Sequence, residues 1–267
     1  MTVVYLELHS GFGNQIFQYA FALSLQKQFS VFILPSKGND HSTTNYQTLF
    51  KSAYHATEEM VPSDITLVNK KSKAFEWWDT SELKQFKAVR ICGYHQNYKF
   101  FGDSIAKKIS KELYQHFYAL YGHPSWNQQT TGFIHVRRTN YLLPHIKMYN
   151  LTMEYYREAI TRVESLKSSV KNWLVITDDI AWCKFQDWPE NVTIFEETDE
   201  AKCFWAFTQC QGAAIIANST FSYWGAIVSG SYPVVYPKAW HLQCAEPDLF
   251  PKTWYPVGSK EKSLKIQ

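Results

Sequence analysis

The chain has 267 residues, of which 45% are hydrophobic, 17% aromatic and 19% charged. Such a chain can bury a substantial core in one large or two modest domains, and its composition excludes a disordered or low-complexity class. The net charge of +3 is small, and no dense basic face accompanies a nucleic-acid-binding motif. We therefore expect no nucleic-acid partner.

The cysteines and the N-terminal residues indicate the cellular compartment that we expect for the protein. Five cysteines form no C-x-x-C pair. An odd set without that spacing favours reduced thiols over a disulfide framework or a zinc site. The apolar run from Val3 to Leu6 is interrupted by Glu7 and His9 and has no basic leader, so we expect no signal peptide. No stretch approaches twenty apolar residues, and we expect a cytoplasmic chain without a transmembrane segment.

The first half of the chain has the pattern of an α/β unit, with a Gly-turn between its first strand and helix. The predicted elements are strands at 3–8, 31–35 and 88–94 and helices at 16–29 and 104–121. The stretch from Lys37 to Lys87 has no clear period. We predict that it is irregular, with weak helical signals near residues 58–65.

Residues 123–131, HPSWNQQTT, combine a proline with polar residues and are the candidate linker. The alternation resumes after them, with strands predicted at 132–138, 172–179, 192–197, 213–218 and 233–237 and helices at 151–167, 201–210 and 222–230. Strands that alternate with helices predict a parallel sheet covered on both faces. Two such halves predict two Rossmann-like domains, residues 1–125 and 126–267, facing each other across a cleft.

The segment HVRRTNY, His135 to Tyr141, follows a predicted strand. Its polar residues therefore fall at the carboxyl end of that strand, where open α/β sheets bind ligands. Arg137 and Arg138 offer planar, permanently charged donors to a diphosphate. Position alone leaves open a simpler alternative, a surface ion pair with the acidic segment TDD.

Two further segments also lie at predicted strand ends. In ANSTFSYWGA, residues 217–226, a strand ends at Asn218 and a helix begins near Ser222 or Tyr223. The free N–H groups of a helix start bind anions, although capping by Ser222 would by itself explain the pattern. The segment TDD, Thr177 to Asp179, has no D-x-D and no nearby histidine ligand, so we expect it to orient an arginine or a ribose hydroxyl rather than bind a metal.

The N-terminal turn SGFGNQIFQ has the spacing G-x-G-x-x-I. It lacks the third glycine of a dinucleotide-binding fingerprint, so the match is short. A Gly-turn nevertheless lets the backbone approach a ligand closely, and it presents Asn14 just before the helix.

Five segments in order resemble the bacterial-type α-1,2-fucosyltransferases, which are glycosyltransferase family 11-like. GFGNQIFQYAFAL resembles the opening G-L-G-N-Q-x-F-Q-Y-A of that family, and GYHQNYKFF is similar to G-Y-x-Q-S-x-K-Y-F. HVRRTNY with LTMEYYREAI resembles H-V-R-R-G-D-Y with Y-Y-x-x-A-I. ITDDIAWC resembles S-D-D-x-x-W-C, and IIANSTFSYWGA resembles I-x-N-S-S-F-S-W-W-G-A. The resemblance runs through nearly the whole chain.

The resemblance implies a GT-B-like α/β fold, with the acceptor mainly in the N-terminal half and the donor mainly in the C-terminal half. It implies inverting, metal-independent transfer of L-fucose from GDP-β-L-fucose to a glycan hydroxyl, commonly O2 of a β-galactoside. On that pattern Arg137 contacts the β-phosphate, His135 approaches the guanine, Arg138 supports the loop, and Asn14 lies across the cleft near the reacting sugar.

The implied site residues form three groups. The donor side comprises His135, Arg137, Arg138, Asp178, Asp179, Asn218, Ser219, Thr220, Phe221 and Ser222. The acceptor side comprises Gly11, Gly13, Asn14, Gln15 and Gln96. The catalytic set is Arg137, Asn14 and Asn140.

Three residues depart from the family pattern. Asn140 stands where the family usually has Asp, and an amide cannot act as a base at neutral pH. Cys203 also stands where Asp is expected, which removes a donor contact to the base or ribose. Ser10 replaces a common glycine, a milder change.

The missing carboxylate leaves several alternatives open. Glu7, His9 and His145 are candidate replacements for the base. The enzyme could also work by a looser or substrate-assisted mechanism, which we favour because the phosphate-facing residues are intact. It could instead use another nucleotide sugar or acceptor, or be a degenerate relative that binds GDP-sugars or glycans without catalysis.

Overall fold

The computed structural model describes residues 1–35, 46–146, 148–242 and 248–258. The first residues of the stretch predicted to be irregular, the end of the loop at Lys147, and Cys244 lie outside the described residues. The chain divides into two compact units, Met1–Leu113 with Pro247–Phe250, and Tyr114–Glu246 with Pro251–Gln267.

The first unit is built on a five-stranded parallel sheet of order β3-β2-β1-β5-β4. Its elements are β1 (Val3–Glu7), α1 (Phe12–Leu25), β2 (Ser30–Leu34), β3 (Tyr54–His55), β4 (Thr66–Asn69), β5 (Ala88–Cys92) and α2 (Gly102–Tyr121). Strand β1 lies at the centre, between β2 and β5, and Val3 pairs with both Ser30 and Ala88, so the three strands start level with one another.

Helix α1 is buried along almost its whole length, including Phe17, Phe21 and two glutamines, Gln15 and Gln18. Because most of its surface is covered, its apolar residues do not form a single stripe. Buried glutamines require hydrogen-bond partners, and both of these find backbone partners at the carboxyl end of the sheet, as described below.

The second unit is built on a six-stranded parallel sheet of order β11-β10-β9-β6-β7-β8. Its elements are β6 (Thr131–Val136), α3 (Met153–Leu166), β7 (Asn172–Thr177), α4 (Ile180–Lys184), β8 (Val192–Ile194), α5 (Glu200–Thr208), β9 (Ala214–Ile215), α6 (Thr220–Ser229), β10 (Val234–Pro237) and β11 (Tyr255–Val257).

Central strand β6 is buried at every position because helices cover both faces of the second sheet. Ile134 and Val136 pack in the cluster that contains Tyr155 of α3. The alternate residues face α5, where the ring centroid of Phe133 lies 4.6 Å from that of Phe207. This arrangement explains why nearly all residues of the strand are apolar, as is typical of parallel strands that are buried on both faces.

A glycine lets α6 approach α5 closely. A Cβ built on Gly225 would lie 2.8 Å from the Cβ of Phe207, which is too close for any side chain. The glycine therefore fixes how α6 packs on α5, and with it the position of the N-terminus of α6 at the edge of the sheet.

The fold class is confirmed: the chain is α/β, with two parallel sheets in two Rossmann-like units, as in a GT-B-like protein. The stretch predicted to be irregular contains two strands of the first sheet, β3 and β4. In the second unit the prediction also missed α4 and β11.

The units divide inside α2, earlier than the linker predicted at 123–131 and the boundary at 125/126. The last turns of α2 belong with the second unit because their aromatic rings pack on α5. The ring centroids are 5.1 Å apart for Phe117 and Phe204 and 5.8 Å apart for Tyr121 and Trp205. The assignment of acceptor and donor to the two halves stays a prediction.

No helix in the part of the chain that the structure describes is both long and apolar enough to cross a membrane.

Candidate active site

Three neighbouring strands of the second sheet, β9, β6 and β7, end at one edge and carry polar residues there. We call this the charged edge; it consists of Arg137, Arg138, Asn140, Asp178, Asp179, Asn218 and Ser219. The segments HVRRTNY, TDD and ANSTFSYWGA, each predicted to lie at a strand end, therefore lie at the same edge of the sheet.

Arg137 is the most open cation of the charged edge, with 31% of its side chain exposed. Its Nη1 lies 3.0 Å from Oδ2 of Asp178, and its Nη2 donates to Oδ1 of Asn140 at 2.7 Å. Its guanidinium lies 5.6 Å from the ring centroid of Tyr141. A guanidinium has five N–H donors, so these two contacts leave donors available for a ligand.

Asp178 organises the loop after β6. Besides its ion pair with Arg137, it accepts the backbone N–H of Arg138 at 2.8 Å and the hydroxyl of Thr139. A single carboxylate thus holds three consecutive residues. The ion pair with TDD, the simpler alternative raised from the sequence, does form. It orients Arg137 but does not occupy all of its N–H donors.

Arg138 is more enclosed, with 14% of its side chain exposed. Its Nε donates to Asp179 at 3.1 Å, its Nη1 donates to Asn150 at 3.4 Å, and its guanidinium stacks 4.1 Å from the ring centroid of Trp182. Asp179 also caps α4 by accepting the backbone N–H of Trp182 at 3.0 Å. These contacts are of the kind that hold a loop in place.

His135 is buried, with 3% of its surface exposed, and its ring lies edge-on to Phe207 at 5.2 Å. Burial, and secondly the charge of Arg137, lower the pKa of His135 to about 3. The imidazole is therefore neutral at physiological pH. Its Nδ1 has no hydrogen-bond partner within the described ranges.

Helix α6 begins at Thr220, two residues earlier than predicted, with Ser219 as its N-cap. The hydroxyl oxygen of Ser219 accepts the backbone N–H of Phe221 at 3.4 Å. Ser222, the alternative capping residue, does not cap the helix, because its buried hydroxyl donates back to the carbonyl of Ser219 at 3.3 Å.

Asn218 connects this helix start to the rest of the charged edge. Its side-chain amide donates to the carbonyls of Tyr149 at 2.9 Å and Trp240 at 3.0 Å. Its own carbonyl accepts the hydroxyl of Tyr141 at 3.0 Å. The loop that carries Arg137 is thus hydrogen-bonded to the residue before the N-cap of α6.

Cys203 is a buried thiol on α5 whose Sγ lies 3.5 Å from the carbonyl of Glu197. Burial is the main cause that raises its pKa to about 12, with Glu197 and Asp199 adding to the effect. The thiol is therefore protonated and uncharged, so it does not reproduce the negative charge of an aspartate.

The first sheet ends in side chains of a different kind. We call this the amide edge; it consists of His9, Asn14, Gln15, Gln18 and Gln96. Oδ1 of Asn14 accepts from Gln96 at 2.6 Å, and the side-chain amide of Gln15 donates to the carbonyl of Ser10 at 2.8 Å. The structure therefore brings together Asn14 and Gln96, which are 82 positions apart in the chain.

Gln18 is a member of the amide edge that the sequence analysis missed. Its Oε1 accepts the backbone N–H of His9 at 2.9 Å, and its Nε2 donates to the carbonyl of Gly93 at 3.2 Å. It thereby joins the chain after β1 to the chain after β5. The sequence feature that could have identified Gln18 is a glutamine that lies among apolar residues in a predicted helix.

Gly11 is the N-cap of α1 and leaves open space beside the helix start. Its φ is −65°, and no side chain caps the helix. A Cβ built on Gly11 would meet no atom within 4 Å. A side chain at this position would therefore be tolerated by the fold itself.

Two of the three candidate bases are poorly suited to that role. Glu7 is held by Nε of Arg90 at 2.6 Å, and Arg90 is also bound by both carboxylate oxygens of Glu58 at 2.7 and 2.8 Å. His145 lies in an exposed turn after the charged edge. Among the residues described, no group of three or more His, Cys, Asp or Glu is arranged to hold a metal ion.

The fold and these two edges define an α/β protein with two Rossmann-like units, one of which can receive an anion at its charged edge. Residues 6–241 match the model of glycosyl transferase family 11, and the chain belongs to this family. It is therefore a glycosyltransferase, and the resemblance found in the sequence is confirmed.

Two curated relatives come from Escherichia coli. The O-antigen biosynthesis glycosyltransferase WbnK is 30% identical over 137 residues, which cover 48% of this chain and 44% of that protein, so the match spans less than half of that relative. An α-1,2-colitosyltransferase is 25% identical over 261 residues, which cover 85% of this chain and 87% of that protein.

Two solved structures show a distant likeness. POFUT1 in complex with GDP has a TM-score of 0.48 at 11% identity, covering 88% of this chain and 98% of that one. A mutant of Arabidopsis thaliana FUT1 in complex with GDP has a TM-score of 0.49 at 9% identity, covering 88% of this chain and 70% of that one.

Proposed function

We propose that this glycosyltransferase moves L-fucose from GDP-β-L-fucose to a hydroxyl of a glycan, O2 of a β-galactoside, with inversion and without a metal ion. The observation that carries the proposal is the convergence of Arg137 with the N-terminus of α6 at the charged edge. The family-like motifs at both sheet edges support the choice of donor.

The charged edge has the chemistry that a departing GDP requires. Negative charge develops on the β-phosphate as its bond to the sugar breaks, and preorganised cations and N–H donors stabilise that charge. Arg137 has free donors and is held by Asp178, while the N-terminus of α6 adds backbone N–H groups. A hydrogen bond to a charged group contributes about 1.5–3 kcal/mol.

The donor-side roles follow from this chemistry. Arg137 and the helix start at Ser219 and Thr220 bind the diphosphate, whereas buried His135 is neutral and adds no charge. Arg138, stacked on Trp182, positions the loop. Asn140 supports Arg137 through its amide oxygen and does not act as the base.

A second candidate donor is activated colitose. The relative aligned over most of this chain is an α-1,2-colitosyltransferase. Under this alternative the linkage and the diphosphate site are unchanged, and only the sugar differs. Cys203, an uncharged thiol where the family has a carboxylate, is a difference on the side of the base or ribose and does not distinguish the two sugars.

Product analysis tests the proposal directly. The purified protein is incubated with GDP-fucose or GDP-activated colitose and a panel of β-galactosides, with and without EDTA, and products are identified by mass spectrometry and NMR. We expect an α-1,2-fucosylated galactoside that forms equally well with EDTA.

The controls separate the alternatives. Transfer of colitose in preference to fucose would replace the donor, and loss of product with EDTA would contradict metal independence. Binding of GDP without transfer to any acceptor would instead indicate a binding-only relative.

A further inference from the structure

The loop after β6 is held from both sides. It closes into one 3₁₀ turn, Thr139–Leu142, which brings Tyr141 back to Arg137, whose guanidinium lies 5.6 Å from the ring centroid. Asp178 binds Arg137 from the β7 side. Tyr141 makes the contact on the β9 side, where its hydroxyl donates to the carbonyl of Asn218 at 3.0 Å. The loop is thereby connected to the chain after both strands that flank β6.

The phenol of Tyr141 has the protonation state that this hydrogen bond requires. Tyr141 is half-buried, and burial is the largest cause that raises its pKa. The charge of Arg137 and a hydrogen bond with the Ser219 side chain lower that pKa but do not reverse the shift. The phenol therefore keeps its proton at physiological pH and donates it to the carbonyl of Asn218, which can only accept. The same hydroxyl thus contacts both Asn218 and Ser219, the N-cap of α6.

Tyr141 contacts both groups that offer donors to an anion at the charged edge. Its ring lies against Arg137, and its hydroxyl binds the chain at the start of α6. Tyr141 and Asn218 are 77 positions apart and follow different strands, so the local chain does not set the distance between the two groups of donors. Donors that act on one ligand have to be preorganised, because a misplacement of about 1 Å costs about 10²-fold in rate.

We propose that Tyr141 is a positioning residue that holds Arg137 and the N-terminus of α6 at the spacing that one diphosphate requires, an assignment that rests on the proposed function. Tyr141 transfers no proton in this role and acts through the donors that it positions. Its hydroxyl should therefore matter for a ligand that carries the diphosphate and not for the nucleoside alone.

Tyr141→Phe tests the proposal, because it removes the hydroxyl and keeps the ring beside Arg137. We expect the Kd for GDP to rise about tenfold and kcat/KM for the donor to fall at least as much, since a hydrogen bond is worth up to about a factor of ten. The Kd for guanosine, which has no phosphate, should stay within about twofold. Calorimetric titration, with competition for the weaker ligand, and steady-state kinetics measure these values.

Tyr155→Phe is the matched control. The hydroxyl of Tyr155 donates to the carbonyl of Ile216 at 2.6 Å, two residues before Asn218. This tyrosine packs in the cluster on the α3 face of the sheet and not against Arg137. The variant therefore loses the same kind of bond at the end of β9 without disturbing the donors. Urea denaturation should show a loss of stability, while the Kd for GDP stays within about twofold.

Three results would overturn the assignment: an unchanged Kd for GDP in Tyr141→Phe, an equal weakening of GDP and guanosine, or the same loss of GDP affinity in Tyr155→Phe. Each of them leaves the proposed function standing if the wild-type protein transfers fucose. A wild-type protein that binds no GDP would remove the proposed function and the role of Tyr141 together.

Discussion

The two sheets end in polar groups of opposite character. The charged edge of the second unit pairs two arginines with two aspartates, whereas the amide edge of the first unit consists of glutamines, an asparagine and a histidine. Charge-paired arginines suit an anionic nucleotide, because a pre-oriented guanidinium loses little freedom when it binds phosphate.

Amides suit a sugar. Each amide both donates and accepts hydrogen bonds, as a hydroxyl does, and no charge must be desolvated without a partner. Under the proposed function, these two topologically similar edges would bind different ligands. The predictions below follow from that assignment, from the largest effect to the smallest.

The largest effect is expected at Arg137. Arg137→Ala removes the open cation of the charged edge, and we expect kcat/KM to fall by about 10²–10³-fold, as for the loss of one preorganised donor to a transition-state charge. Steady-state kinetics and calorimetric titration with GDP measure the effect. Arg157→Ala is the matched control, since Arg157 is exposed and pairs at 3.5 Å with Asp187. Retention of transfer within a few-fold in Arg137→Ala would show that the diphosphate binds elsewhere.

Gly11 tests the amide edge. Because a Cβ there meets nothing within 4 Å and φ is −65°, Gly11→Ala should change the free energy of unfolding by less than about 1 kcal/mol. If the acceptor packs against the helix start, the added methyl group should raise the KM of the acceptor about tenfold and leave GDP binding unchanged. An unchanged KM would mean that no substrate approaches Gly11.

A few-fold effect is expected at Asn140. In Asn140→Asp the new carboxylate would accept from Nη2 of Arg137, where the amide oxygen already does at 2.7 Å. If residue 140 only orients Arg137, kcat should change by less than about threefold, because a general base contributes far more than this. A large rise in kcat with unchanged GDP affinity would instead show that the amide limits the chemistry.

Much of this organisation could be predicted from the sequence. Strand β6 is hydrophobic because helices cover both of its faces, and the polar residues that follow it had to lie at a sheet edge. Strand β4, Thr66–Asn69, was missed because it is short and largely exposed, so it has no buried face to set an alternating pattern.

Two details of the site depend on contacts that spacing does not reveal. The start of α6 was misplaced because Ser219, Thr220 and Ser222 are all good capping residues, and tertiary packing decides among them. The three contacts of Asp178 join segments about 40 positions apart, and no local pattern specifies them.

The smallest predicted effect concerns Ser10, which was classed from the sequence as a mild departure from glycine. The structure places Ser10 at φ +66°, in the left-handed region that costs a non-glycine residue about 1–2 kcal/mol. Glycine adopts this conformation freely but has more freedom to lose on folding, which offsets part of the gain.

We therefore expect Ser10→Gly to raise the free energy of unfolding by about 0.5–1 kcal/mol in urea denaturation, because the strain relieved, about 1–2 kcal/mol, exceeds the entropy cost of the glycine, about 0.4–1 kcal/mol. Ser10→Ala is the matched control, because it keeps the Cβ and the strain while removing the hydroxyl that lies 3.5 Å from the hydroxyl of Tyr94. Equal gains in both variants would attribute the effect to the hydroxyl. A gain in Ser10→Gly alone would show that the turn before the amide edge is strained, and that glycine is common there because of its backbone.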